Sequence, residues 1–214
     1  MSSAHPLIEN HPSSVAQLFL HRAMATPDRR AYTYPLPDQG AGAAGRAEWA
    51  ALTWAQTAQR VKAIAAGLKA LGINTGDRVA IASGTRIEWI LADLGVQCAG
   101  AATTTVYPST NADETAFILA DSESRVLFAE NTEQLAKVLT ARARLPELTH
   151  VFLFDFDAPA EEAKATGLYI APLSDLEQRG TRYLAGHPEA IDETVAAITG
   201  EQPAALVYTS GTTG

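Results

Sequence analysis

Val79-Ala80-Ile81-Ala82 is a short apolar run closed by Ser83-Gly84-Thr85; helical spacing from Arg86 to Cys98 follows, and then a second run, Ala101-Ala102-Thr103-Thr104-Thr105-Val106. In the middle segment Leu91, Leu94 and Cys98 recur at three and four positions, with Ile90 four before Leu94, the spacing of one helix face. Strand, helix and strand in that order imply a parallel pair joined by a right-handed crossover, because parallel strands cannot be linked by a tight turn. Neither run contains a charged residue, which suits strands covered on both faces.

The alternation repeats downstream. Asn111 and Glu114 sit where they cap a helix carrying Phe117 and Ile118, and a strand is expected over residues 126–129, a helix over 133–140 and a strand over 151–154. Ser174 and Glu177 form a capping-box pair, with helical material expected from 175 to 198 ahead of a last apolar strand at 204–208. Upstream, Thr53 and Gln56 make the same pairing ahead of Val61, Ile64, Ala65, Leu68 and Leu71, a helix that Gly72 ends. Ser13 caps an earlier helix with Val15, Leu18, Phe19 and Ala23 on one face, and Pro27 lies past its end. Strand-like pieces at 31–36 and 47–52 flank Gly40-Ala41-Gly42-Ala43-Ala44-Gly45. That run spells GxGxxG, yet it opens no helix and has no acidic residue about 20 positions on, so it reads as a hairpin loop. No fixed period recurs, which sets a solenoid aside. The expected class is α/β: a mostly parallel sheet flanked by helices and incomplete at the carboxyl terminus, with residues 1–12 as a tail and 13–214 as one domain portion.

With 214 residues, 47% hydrophobic and 19% charged, the chain has material for a real core. A net charge of −8, and 16 Lys and Arg that form no run or stripe, argue against a nucleic-acid binder working through a basic face. The sign does not exclude ATP, itself an anion, because local amides can hold it. The single cysteine, Cys98, cannot pair internally; on an apolar helix face it reads as a buried thiol and fits a reducing cytoplasm. The first residues show no basic segment followed by an apolar one, and no stretch reaches the ~18 apolar residues of a membrane span. A cytoplasmic chain is expected, with peripheral membrane association left open.

Tyr208-Thr209-Ser210-Gly211-Thr212-Thr213-Gly214 carries most of the functional information. Glycines at 211 and 214 admit positive φ, so successive backbone N–H groups can face one concavity, and the hydroxyls add donors; the result suits phosphate oxygens. Its position after an apolar strand is where ligands of open α/β sheets bind. A Walker A loop is excluded, since only Thr212-Thr213 separates the glycines and no lysine is present. The same composition describes an ordinary turn, and spacing alone does not separate the two.

The heptad, Thr53-Trp54 before a long helix, Leu71-Gly72-Ile73 then Gly76-Asp77-Arg78-Val79, Glu88-Trp89, and Val106-Tyr107-Pro108 together resemble the adenylate-forming superfamily of acyl-CoA synthetases, luciferases and nonribosomal adenylation domains. The likeness runs from about Ser13 to Gly214. Tyr107-Pro108-Ser109-Thr110 with Ile118-Leu119-Ala120-Asp121-Ser122 looks most like the bacterial long-chain fatty acyl-CoA synthetase branch. The resemblance implies a two-step reaction in which a carboxylate attacks the α-phosphate of ATP and coenzyme A then displaces AMP. It implies that Thr209, Ser210, Gly211, Thr212, Thr213 and Gly214 bind the phosphates through position and electrostatics. No catalytic side chain and no metal ligand is assigned. ATP, Mg²⁺ and coenzyme A are the implied cofactors; fatty acid, ATP and coenzyme A are the small-molecule partners.

The family's pattern continues through Pro-Lys-Gly, an aromatic-Gly-x-Thr-Glu that touches adenine and Mg²⁺, a ribose-binding aspartate, and a lysine on a carboxyl-terminal domain. None occurs in these residues, so the expectation is an amino-terminal piece of a longer ligase that forms no acyl-adenylate alone. Another acid-activating enzyme, such as an aryl-CoA ligase or a carrier-loading adenylation domain, and a non-catalytic α/β binding domain stay open. Ser83-Gly84-Thr85 reads as a helix cap or an anion site, and Tyr107-Pro108 as a turn or, by resemblance, the border of an acyl or pantetheine channel. Asp155 and Asp157 alternate like a carboxylate pair without a third ligand, so residues 155–166 read as a solvated loop. His5, His11, His21, His150 and His187 never fall at zinc-ligand spacing. Trp49, Trp54 and Trp89 are expected in the core.

Overall fold

The computed structural model describes residues 11–36, 48–156 and 165–209. The chain runs through α1 (Val15–Ala25), an antiparallel pair β1 (Arg30–Pro35) and β2 (Trp49–Thr53), and α2 (Trp54–Ala70). Then come β3 (Arg78–Ala82), α3 (Ile87–Cys98), β4 (Ala102–Val106), α4 (Ala112–Asp121), β5 (Val126–Ala129), α5 (Thr132–Thr140) and β6 (His150–Leu153). The last elements are β7 (Tyr169–Pro172), α6 (Leu173–Gly186), α7 (Ala190–Ala197) and β8 (Ala205–Val207). Strands β3 to β8 form one sheet in the order β7-β6-β5-β3-β4-β8, parallel throughout.

Side-chain alternation along the strands divides the interior in two. Val79, Ile81, Val126, Phe128 and Phe152 face a layer built from α1, α2, α3, α6 and α7. Ala80, Ala82, Leu127, Ala129, Val151 and Leu153 face α4 and α5. Local chemistry sets the helix ends. Thr53 Oγ1 accepts from the Gln56 amide at 3.2 Å while Gln56 Oε1 accepts from the Thr53 amide at 2.9 Å, the expected reciprocal cap. At the far end of α2, Gly72 adopts φ 78°, its amide reaches Lys69 O and the Ile73 amide reaches Leu68 O, which satisfies carbonyls the helix itself leaves free.

Several expectations need correction. Ser14, not Ser13, caps α1: its Oγ accepts from the Gln17 amide at 3.1 Å, and Ser13 donates its own amide to Gln17 Oε1. Ser174 and Glu177 cap nothing, since α6 starts at Leu173 behind Pro172 without a side-chain cap. The helical stretch at 175–198 is two helices, because the proline of His187-Pro188 cannot continue a helix and pushes the residue before it out of helical conformation. Tyr169–Pro172, assigned no element from sequence, pairs with β6 as an edge strand, a position that tolerates its proline. Trp49 is 63% exposed on the two-stranded sheet, whereas Trp54 and Trp89 pack against the core. The tail up to residue 10, the loop at 40–45 and Asp157 lie outside the described residues.

Helices α2 and α6 touch at the level of their backbones. A Cβ on Gly180 would lie 1.7 Å from Ala63 O, and one on Gly67 would lie 2.5 Å from Leu176 O. Gly180→Ala is therefore expected to lower stability by about 2–4 kcal/mol in a urea titration, through overpacking that the rigid backbone cannot relieve. Gly186→Ala, whose Cβ would meet nothing within 4 Å, should change it by less than about 1 kcal/mol. Cys98 is fully buried, and burial pushes its thiol pKa up to about 12. Iodoacetamide should modify it only as the protein unfolds; rapid alkylation of the native chain would contradict this placement.

Candidate functional site

From β3 the chain crosses to β4 on one side and then returns past β3 to β5. The carboxyl ends of β3 and β5 thus flank the crevice where ligands of such sheets ordinarily bind. Here that crevice is filled from within. Arg86 donates its two terminal nitrogens to Asp155 at 2.7 and 2.8 Å and its Nε to Glu88 at 2.6 Å, and Glu130 stands 3.9 Å away. The Asp155 bond, against the opposing effect of burial and with help from Glu88, pushes the guanidinium's already high pKa further up. The second Glu130 oxygen accepts the Gly84 amide at 2.8 Å, the donor that a bound anion would need. Ser83-Gly84-Thr85 is thus neither cap nor anion site: Arg86 occupies the N-cap of α3 without a side-chain cap bond, and Ser83 Oγ donates to Gly84 O.

The heptad leaves the sheet elsewhere. Thr209 is exposed beyond the carboxyl end of β8, the edge strand; Ser210, Gly211, Thr212, Thr213 and Gly214 lie outside the described residues. Beside Thr209 opens a groove of about 510 Å³, lined by Thr105, Tyr107, Thr110, Glu114, Phe117, Ile118 and Tyr208. One wall is a single helix face, because Glu114, Phe117, Ile118 and Asp121 fall at three- and four-residue intervals along α4. Asn111 fixes the start of that helix by accepting the Glu114 amide at 2.9 Å.

Tyr208 joins the heptad to this wall. Its phenol donates to Asp121 Oδ2 at 2.7 Å, and its ring meets Phe117 edge-on, with centroids 6.3 Å apart and an interplanar angle of 87°. Such aromatic pairs contribute about 1 kcal/mol beyond their burial. Burial first, and then the Asp121 carboxylate, push the Tyr208 pKa up to about 12, so the phenol stays a neutral donor at physiological pH. Tyr107 and Phe117 remain 65% and 61% exposed, two aromatic surfaces facing open space. Of the two apolar residues that the helix carries here, Ile118 is buried and Phe117 is not. Asp121 and Glu114 received no site role from sequence, although their seven-residue spacing on a capped helix is a legible signal of a shared face.

Among the described residues no three His, Cys, Asp or Glu side chains gather into a metal-holding group, so no ligand set for Mg²⁺ is drawn from them. No described helix is long and apolar enough to cross a membrane.

Open parallel α/β sheets of this kind bind ligands beyond the carboxyl ends of their strands, and the hydroxyl- and glycine-rich heptad begins at one such end. The family profile described as AMP-binding enzyme matches residues 19–214, and the chain belongs to that family. The long-chain-fatty-acid–CoA ligase FadD15 of Mycobacterium tuberculosis is 34% identical over 166 residues, which are 78% of this chain and 25% of that protein. This chain therefore spans about a quarter of the length of that relative. A candidate long-chain-fatty-acid CoA ligase from Rhodopseudomonas palustris superposes with TM-score 0.60 at 27% identity over 78% of this chain and 36% of the other. The adenylation domain of a carboxylate reductase from Mycobacterium chelonae shares the fold, with TM-score 0.68 at 20% identity over 92% and 32%.

Because the folded pKa of Tyr208 lies above the unfolded value of about 10, its contribution to stability is full below about pH 10 and is lost as pH rises through about 12. The stability difference between the wild type and Tyr208→Phe, about 1 kcal/mol near neutrality, should shrink over that window in denaturant titrations. Asp121→Asn should lower the tyrosinate transition of Tyr208 toward 10, read by ultraviolet absorbance.

Proposed function

We propose that this chain forms the phosphate-facing part of an ATP-dependent acid–thiol ligase that activates a long-chain fatty acid as its acyl-adenylate and passes the acyl group to coenzyme A. In the first step a carboxylate oxygen bonds to the α-phosphorus of ATP, the bond to the β-phosphate breaks, and pyrophosphate leaves. In the second the coenzyme A sulfur bonds to the acyl carbon and AMP leaves. Residues 209–214 supply hydroxyl and amide donors to the phosphates, stabilising the charge that builds up on them. Tyr208 acts as a neutral post: its bond to Asp121 ties the base of the loop to α4 without placing a second negative charge beside it. Tyr107 and Phe117 offer apolar wall to an acyl or pantetheine chain. Mg²⁺ would accompany the ATP phosphates, and no step is assigned to it here.

The observation that carries this reading is the family match continuing into the heptad, with the described part of that motif standing at a carboxyl strand end beside an open groove. Long-chain fatty acid as the substrate is supported by the 34% identity to FadD15. The test has two arms. Pyrophosphate and ATP, but not adenosine, should shift the amide signals of residues 209–214 in nuclear magnetic resonance spectra of the chain. ATP–pyrophosphate exchange with fatty acids should be absent for the 214 residues alone. It should appear with long-chain acids in preference to benzoate once the chain is followed by the part of FadD15 beyond the matched segment. Exchange by the short chain, or no response to pyrophosphate, would overturn the reading.

A further inference from the structure

We infer that Gln97 and Asp93, one turn apart on α3, are positioning residues that hold the start of β8 against β4 and, through it, the position of Thr209, where the heptad leaves the strand. The Ala204 carbonyl, just ahead of β8, accepts twice: from the Thr103 amide at 3.0 Å and from Gln97 Nε2 at 2.6 Å. Gln97 is only 9% exposed and reaches across 107 positions of sequence to make that bond. Below it, the wholly buried Thr103 donates its hydroxyl to Asp93 Oδ1 at 2.7 Å, and Gln97 Nε2 lies 3.5 Å from the same hydroxyl oxygen. The chain ahead of β8 is held further upstream as well, because Gln17 on α1 donates to both Val195 O and Ile198 O at 3.1 Å.

The strand that these bonds hold has little else. Three residue pairs, Thr103↔Ala205, Thr104↔Leu206 and Thr105↔Val207, are its entire ladder among the described residues, and Val207 is 62% exposed. A short edge strand of this kind belongs to the low-stability end of a fold. A slip of one residue would turn Tyr208 to the opposite face, break its bond to Asp121, and move Thr209 by about 3.3 Å. Detachment of the strand from Ala204 onward would strand the buried Gln97 donor, and an unmet buried donor costs more than the bond contributes. The buried amide thus resists opening of the strand at its start, while the Tyr208–Asp121 bond is the contact that a slip would break. Setting the strand rests on this geometry alone; its consequence for the loop rests on the phosphate-binding reading above.

Residue-resolved amide hydrogen exchange, with a parallel pyrophosphate titration, tests this on the full 214-residue chain. In Gln97→Met the β8 amides should exchange about fivefold faster, those of β3 and β5 should keep their rates, and the pyrophosphate response should weaken by a similar factor. Asp93→Asn, whose amide oxygen still accepts from Thr103, should stay within about twofold of the wild type, and Asp93→Leu should follow Gln97→Met. Unchanged β8 exchange in Gln97→Met, or a uniform rise across β3, β5 and β8, overturns the inference. Should Gln97→Met not fold, the Asp93→Asn and Asp93→Leu pair decides it by the same criterion. If the wild type ignores pyrophosphate while β8 exchange follows the expected pattern, the phosphate reading fails and the strand-setting role stands.

Discussion

Parallel pairing governs this molecule. β3 is hydrogen-bonded to β4 on one side and to β5 on the other, with Val79 to Ala82 all buried, so neither of its faces can meet water. Each parallel step needs a crossover long enough to span the sheet, and helices provide it while covering the apolar surface. The two faces are covered unequally: α1, α2, α3, α6 and α7 crowd one side, while α4 and α5 cover the other. Crowding is why α2 and α6 meet backbone to backbone at Gly180 and Ala63, where no side chain fits.

The carboxyl edge of the same sheet presents two contrasting environments. At the crevice between β3 and β5, Arg86 is ringed by Asp155, Glu88 and Glu130, three carboxylates to one guanidinium. Within a Debye length of about 8 Å that cluster repels an anion, and the Gly84 amide is already used. At the edge, beyond β8, Glu114 and, behind Tyr208, Asp121 are the charged side chains at the groove among the described residues, and hydroxyls and aromatic rings make up most of the rest. Thr209 thus stands at an edge of the sheet with little charge around it, away from the topological centre. The stability of the site follows from this: an edge strand has one neighbour, so side chains from α3 and α4 must supply what a second strand would have provided.

Much of this was legible before any coordinates. The Thr53 and Gln56 pairing, the strand at 126–129, the buried Cys98 and the heptad behind a final strand all follow from short-range patterns. The misreadings have specific causes. Ser174 and Glu177 match a capping box, but the Pro172 turn starts the helix before Ser174 can serve. Trp49 sits in an apolar run, yet its strand pairs only with β1, away from the main sheet, and exposes it.

By itself the sequence determined the succession of strands and helices, their caps and the family signature, since each depends on groups within about four positions of one another. Tertiary structure alone decided that the strands lie in the order β7-β6-β5-β3-β4-β8, that Arg86 meets Asp155 across 69 positions, and that Asp121 meets Tyr208 across 87. Those pairings exist only after two covered faces have brought distant helix and strand ends to the same side of the sheet. No local pattern encodes which carboxylate will be waiting there.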